Sequence, residues 1–275
     1  MKTINCPVCN TQNNYTEEKG VLCNKCKCLI NSNAKAYDYL LEGGQNIPDK
    51  NKHLLRLKNC QLRFKIIKKF SNKNQIFVDI GTGSGEMLMS SKNYFKKSVG
   101  FEHSKDLNNF YKENKTEVYN SNFDINKLGS SLKNNESIFF SFNHVIEHNS
   151  NPIDLINEII SQHNNVSIYI EVPLFTGLSF KTEKYNWTLW YDQHNALYSL
   201  ETLKFIANKL TMNILETGHR AFVSENYTSK KNILLFLKNP IRFFKTCLMF
   251  LFNNKNTFMD LFLKDYGYII ATKIK

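Results

Sequence analysis

The chain has 275 residues, 42% of them hydrophobic and 22% charged, enough for one sizeable core and a small appendage. Seven cysteines, four of them in two CxxC pairs, exclude a disulfide framework and point to metal in a reducing compartment. The formal charge of +12 sits at the ends, with +9 over residues 1–75, −4 over 76–229 and +7 over 230–275; basic flanks of this kind suit nucleic acid, phosphorylated sugars or an anionic membrane surface.

In chain order, Cys6-Pro-Val-Cys9 is followed after thirteen residues by Cys23-Asn-Lys-Cys26. Each knuckle delivers two thiolates from one turn, and four thiolates satisfy a tetrahedral Zn²⁺. This spacing predicts a zinc ribbon over residues 1–31, with Cys6, Cys9, Cys23 and Cys26 holding a structural Zn²⁺ and Cys28 as a spare thiol able to compete with Cys26. So short a segment cannot fold on apolar burial alone, so the metal would supply its folding energy. No apolar run follows Met1, so a cytoplasmic chain is expected.

Residues 32–72 read as a loop, with Tyr37, Tyr39, Gly43 and Gly44, followed by a basic amphipathic helix. Leu54, Leu57, Cys60, Phe64 and Ile67 would face the core. Arg56, Lys58, Arg63, Lys65, Lys68 and Lys69 would form the solvated face.

The main domain, 73–275, opens on Ile76-Phe-Val-Asp-Ile80, an apolar run typical of a doubly covered parallel strand. Gly81, Gly83 and Gly85 follow at alternate positions, predicting a tight turn into a helix where a ligand can approach bare backbone. The third glycine of a dinucleotide fingerprint is replaced by Glu86, and Asp79 at the strand end would repel a pyrophosphate but suit a cationic amino group. Ser98–Glu102 reads as a second strand ending in a carboxylate, seventeen residues past Gly85, where a ribose-binding acid belongs. Val118–Asp124 reads as a third strand and turn, placing Asn122, Phe123 and Asp124 near an adenine. Ser137–Phe142 is a fourth strand, running into Asn143-His144-Val145-Ile146-Glu147-His148.

Asn151 and Pro152 then start a helix with Ile153, Ile156 and Ile160 on one face. Val166–Val172 is a fifth strand. Residues 174–198 read as a long functional loop carrying Trp187, Trp190, Tyr191, His194 and Tyr198. Ser199 caps a further helix, and Asn213–Thr217 and Tyr266–Ile274 close the sheet. Between these last strands lies an inserted segment of about 230–263. Its apolar part, 233–252, is too interrupted to span a bilayer; it suits either a membrane surface, at the inner face, or a packed helix.

The run Asp79-Ile-Gly81-Thr-Gly83-Ser-Gly85, Glu102 and the order of elements resemble class I S-adenosylmethionine-dependent methyltransferases over residues 51–275. The resemblance implies an α/β Rossmann-like fold: a seven-stranded, mostly parallel sheet with helices on both faces, here with an N-terminal zinc ribbon. It implies S-adenosyl-L-methionine as cofactor, held by Asp79, Gly81, Thr82, Gly83, Gly85, Glu102, Asn122, Phe123, Asp124 and Asn143. The two CxxC pairs, "HVIEH", "IYIEVP" and "WYDQHNALYS" look like methyltransferases of sugar and surface-polysaccharide biosynthesis, relatives of zinc-containing sugar C-methyltransferases. That likeness implies a small-molecule sugar acceptor and places catalytic roles on His194, Tyr191 and His144. Gln193 stands where those relatives carry a glutamate. An RNA methyltransferase would also use a zinc ribbon and basic flanks, but the chain lacks an aromatic-interleaved basic patch. A non-catalytic scaffold is the third reading; the intact glycine run argues against it.

Overall fold

A computed structural model describes residues 2–16, 19–35, 47–131, 136–221, 237, 239–251 and 263–274. The N-terminal strands are β1 (Lys2–Asn5), β2 (Gln12–Tyr15), β3 (Val21–Leu22) and β4 (Leu29–Ile30), followed by α1 (Lys50–Ile67). Next come β5 (Ile76–Ile80), α2 (Glu86–Ser91), β6 (Lys97–Phe101), α3 (Asn108–Glu113), β7 (Glu117–Tyr119) and β8 (Ile138–Asn143). The chain continues through α4 (Pro152–Ser161), β9 (Asn165–Pro173), α5 (Leu178–Glu183), β10 (Ala196–Leu197), α6 (Leu200–Lys209), β11 (Asn213–Arg220), α7 (Pro240–Leu251) and β12 (Tyr266–Ile274).

The main sheet has the order β11-β12-β9-β8-β5-β6-β7. β5 to β9 run parallel, and β12 lies antiparallel between β9 and β11. Alternation along β5 decides what covers each face. Ile76, Val78 and Ile80 pack with Ile156, Ile159 and Ile160 of α4 and with Leu203, Ile206 and Ala207 of α6. Phe77 packs on the other face with Phe64 and Ile67 of α1 and Met87 and Leu88 of α2. Because β5 pairs with both β6 and β8, the strand order reverses beside it, and the carboxyl ends there open a crevice.

The ribbon shares the first of these cores: Cys6, Val8, Val21 and Ile30 belong to the same apolar cluster as α4 and α6. Its β4 pairs antiparallel with both β3 and β10, so the ribbon captures the strand that follows the long loop. Ser199 caps α6 through Thr202, whose hydroxyl bonds back to the Ser199 amide, closing a capping box.

Several local expectations are corrected. Arg63 of α1 is buried, not solvated, because it meets Glu171 in the core, and Leu54 is 54% exposed rather than facing the core. The third strand stops at Tyr119. The stretch 174–198 is not a bare loop, since it contains α5 and β10. Asn151 does not cap α4 through its side chain; its amide donates to Asp154 instead. The Tyr37–Gln45 loop and most of the inserted segment lie outside the described residues. Of that segment, α7 carries exposed Ile241, Phe243 and Phe244. No helix among the described residues is long and apolar enough to cross a membrane.

Candidate active site

The glycine turn between β5 and α2 is built from left-handed backbone, with φ of 65° at Gly81, 51° at Gly83 and 82° at Gly85. A Cβ on Gly81 would come within 2.9 Å of Val145, whereas one on Gly83 would meet nothing within 4 Å. Gly81 is thus required by both conformation and packing, and Gly83 presents open backbone. Two groups pin the turn: the Gly83 amide donates to Glu102 Oε2 at 2.9 Å, and the Tyr111 hydroxyl donates to the Gly83 carbonyl at 2.5 Å. α1 lies over its outer side, where Arg56 donates to Ser84 at 2.8 Å and His53 meets Glu86 at 3.1 Å.

At this switch point opens a cleft of about 500 Å³, within the usual range of small-molecule sites. Gly81, Glu102, Asn122, Phe123 and His144 line it, together with His148, Asn149, Glu158, Gln162, Tyr191 and Gln193. Glu102 is only 7% exposed, yet its carboxylate borders the cleft. Open backbone at Gly83 beside a fixed carboxylate fits a ligand carrying a ribose diol, since a carboxylate accepts from both hydroxyls. Phe123 packs edge-on to Phe101, which fixes its ring.

Six expected cofactor residues do not border the cleft: Gly83 and Gly85 of the turn, and Asp79, Thr82, Asp124 and Asn143. Asp79 is buried and accepts from the Thr82 hydroxyl at 2.7 Å; burial pushes its carboxyl up to about 7, against that hydrogen bond. Thr82 is itself buried beneath the turn. Asp124 accepts from the Asn126 amide at 2.9 Å and so starts the helical turn that follows. Asn143 ends β8, its side-chain oxygen buried without a hydrogen-bond partner.

His144, which follows the β8 strand end, holds a left-handed backbone with φ of 58°. Nδ1 lies 3.1 Å from Glu147 and Nε2 3.6 Å from Glu171. Burial disfavours its cation, but the two carboxylates outweigh this and hold the imidazole at about 9, so it is a hydrogen-bond donor at neutral pH. Glu171, in "IYIEVP", centres a buried network: Arg63 donates to Oε1 through two nitrogens, at 3.0 and 2.5 Å, and Tyr169 donates to Oε2. Arg220 lies 3.7 Å away. The isolated sequence positions gave no sign of this network.

The long loop is arranged differently from expectation. Tyr191 reaches the cleft, but His194 is 3% exposed and does not line it. The His194 Nδ1 bonds the Leu189 carbonyl at 2.8 Å, its ring stands 4.2 Å from that of Tyr191, and burial pushes it down to about 4. Trp187 and Trp190 offer no wall to the cleft, because they pack with Phe180 and Tyr185 against the ribbon side. Asn31 of the ribbon holds the loop, donating to the carbonyls of Tyr191 at 2.9 Å and His194 at 3.0 Å. His148, at the end of the run that follows β8, lines the cleft.

In the ribbon, the sulphurs of Cys6, Cys9, Cys23 and Cys26 all lie within 4.8 Å of one another. Each knuckle closes through a left-handed residue just after its second cysteine, Asn10 at φ 55° and Lys27 at φ 62°. Backbone bonds complete both, Asn10 to Cys6 at 2.8 Å and Lys27 to Cys23 at 3.1 Å. This donor set fits Zn²⁺, for which S···S separations are about 3.8 Å at a Zn–S bond of about 2.3 Å. Cys28 lies 3.4 Å from Cys6 and 3.5 Å from Cys26 but falls outside the set of four.

The family model described as "Methyltransferase domain" matches residues 52–217, more than half of the chain. A comparison with curated proteins gives no match. Among solved structures, an S-adenosylmethionine-dependent methyltransferase from Archaeoglobus fulgidus is 22% identical, with TM-score 0.52 over 81% of this chain and 98% of that one. The plantazolicin methyltransferase BamL, in complex with a triazolic desmethylPZN analogue and SAH, is 15% identical, with TM-score 0.50 over 83% and 92%. A complex of the Haloferax volcanii Trm112 methyltransferase activator and a putative methyltransferase matches at 11% identity, with TM-score 0.51 over 84% and 100%. These three likenesses establish the fold. The matched family model shows that the chain belongs to the methyltransferases, and the strand order reversing at a glycine turn agrees with it.

Proposed function

We propose that the chain methylates a sugar, in nucleotide- or lipid-linked form, during surface-polysaccharide biosynthesis. The observation that carries this reading is the cleft lining, where His148, Asn149, Glu158, Gln162, Tyr191 and Gln193 offer hydrogen-bonding groups to a polyhydroxylated acceptor. Bound S-adenosylmethionine would supply a methyl group already activated on a sulphonium sulphur. The chain then has to align the acceptor and accept its proton.

In this reading Glu102 takes the ribose hydroxyls, Gly81 to Gly85 allow close approach, and Asn122 and Phe123 meet the adenine edge and face. Asp79, Thr82 and Asn143 shape the floor beneath the methionine end, and Asp124 acts through the turn it starts. His144, as a donor between two carboxylates, orients oxygen acceptors at the rim. Tyr191 faces the acceptor and His194 stands behind it, packing against that ring and fixing the side chain. The ribbon zinc is structural: it holds the loop that carries both.

The test is transfer of a deuterated methyl group from labelled cofactor into carbohydrate extracted from cells lacking the protein. Label in a nucleotide-sugar or glycolipid fraction, read by mass spectrometry, is the expected result. Label confined to peptide or RNA would replace the sugar with another acceptor.

A further inference from the structure

Beside the acceptor wall, a second group of ligating atoms stands apart from the ribbon. One ligand atom each from Glu147, His148 and His194 lies within 4.8 Å of the other two. Three features mark this trio as more than side chains that happen to meet. Glu147 is fully buried, and its Oε2 has no hydrogen-bond partner although Oε1 bonds His144, which leaves one oxygen of a buried carboxylate uncompensated. The His194 Nδ1 bonds the Leu189 carbonyl at 2.8 Å, and the His148 Nδ1 lies 3.1 Å from the Gln193 carbonyl. A carbonyl can only accept, so Nδ1 carries the proton in each neutral ring and the lone pair sits on Nε2. This is the outer-sphere arrangement that orients metal-binding histidines. The two rings also meet edge to face, with centroids 4.6 Å apart and planes 68° apart.

From this geometry we infer that Glu147, His148 and His194 form a site for a divalent transition-metal cation, with an open coordination position toward the acceptor cleft. Two imidazoles and one carboxylate are the donor set of catalytic sites that keep a position for water or substrate. Bonds of about 2.1 Å would draw the three atoms to about 3–3.5 Å apart, and His148, half-exposed, lines the cleft. Tyr191 and Gln193 line the same stretch, so the open position faces the acceptor wall. An acceptor hydroxyl bound there would be oriented and made more acidic. The inference rests on the proposed acceptor for its purpose, but not for the binding itself.

The test uses the full chain with the ribbon zinc in place, titrated with Co²⁺ in the absence of cofactor and acceptor. The site predicts one further equivalent, with visible bands of nitrogen and oxygen ligation and without the intense ultraviolet bands of cobalt–thiolate bonds. His148→Ala, at a half-exposed position that should not disturb folding, and Glu147→Gln should each weaken binding at least ~10–100-fold, the loss seen even for outer-sphere changes. Absence of such a spectrum in the wild type, or equal affinity in wild type and both variants, overturns the inference. Retained cofactor binding alongside that result would leave the methyltransferase reading standing.

Discussion

Removing the ribbon zinc is expected to release the acceptor loop as well as the ribbon. Residues 2–31 form only short strands around a four-sulphur centre, and structural zinc contributes about 10–16 kcal/mol of apparent folding free energy in comparable small modules. Loss of the metal should therefore unfold the ribbon outright. The consequence for the site follows from three attachments. β4 pairs with β10. Asn31 holds the Tyr191 and His194 carbonyls. The Ser199 hydroxyl donates to the Lys27 carbonyl at 3.2 Å. Hydrogen exchange on chelated protein, or on Cys23→Ser, should show amides from Trp190 to Leu197 losing protection while those of β5 and β8 keep theirs. Unchanged protection of the loop would mean that the ribbon does not hold it.

Arg63→Ala is expected to cost about 3–5 kcal/mol, because it strands the Glu171 carboxylate in the core. Both side chains are almost fully buried, and Arg63 contacts Glu171 through two nitrogens. Burial works against the Glu171 charge, but Arg63, His144 and Arg220 outweigh it and hold its pKa well below the usual carboxylate range. The lowered pKa fixes the sign of the pH effect. The stabilisation is present above the ordinary glutamate pKa and is lost as pH falls through the depressed one. Urea unfolding of Arg63→Ala at neutral pH should show the loss as a shifted midpoint with little change in slope. A shift worth less than ~1 kcal/mol, the range of an exposed pair, would show that the network adds little to stability.

Legibility in the sequence followed the range of the forces involved. The glycine turn, the Ser199 cap and the apolar strands depend on spacing within a few residues, so periodicity and turn chemistry found them. Arg63 looked solvated because its partner lies 108 residues away, and a basic residue amid lysines gives no sign of a buried carboxylate. Trp187 and Trp190, on the loop expected to be functional, instead pack with Phe180 and with Leu29 of the ribbon, a contact no local pattern signals. The inward position of His194 depends on Asn31, 163 residues earlier in sequence. A short 3₁₀ turn over Ile146–His148 brings Glu147 and His148 to the same cluster, which the sequence run alone does not reveal.

The central claim is that S-adenosylmethionine binds at the glycine turn with its ribose on Glu102. Calorimetric titration of S-adenosylhomocysteine into zinc-loaded wild type and Glu102→Ala tests it most directly. Gly83 donates to this carboxylate at 2.9 Å, so the variant removes both the ribose acceptor and an anchor of the turn. One binding site in the wild type, weakened in the variant by about 1.5–3 kcal/mol, the worth of hydrogen bonds to a charged group, is the predicted result. No binding by the folded wild type, or equal affinity in the two proteins, would contradict it.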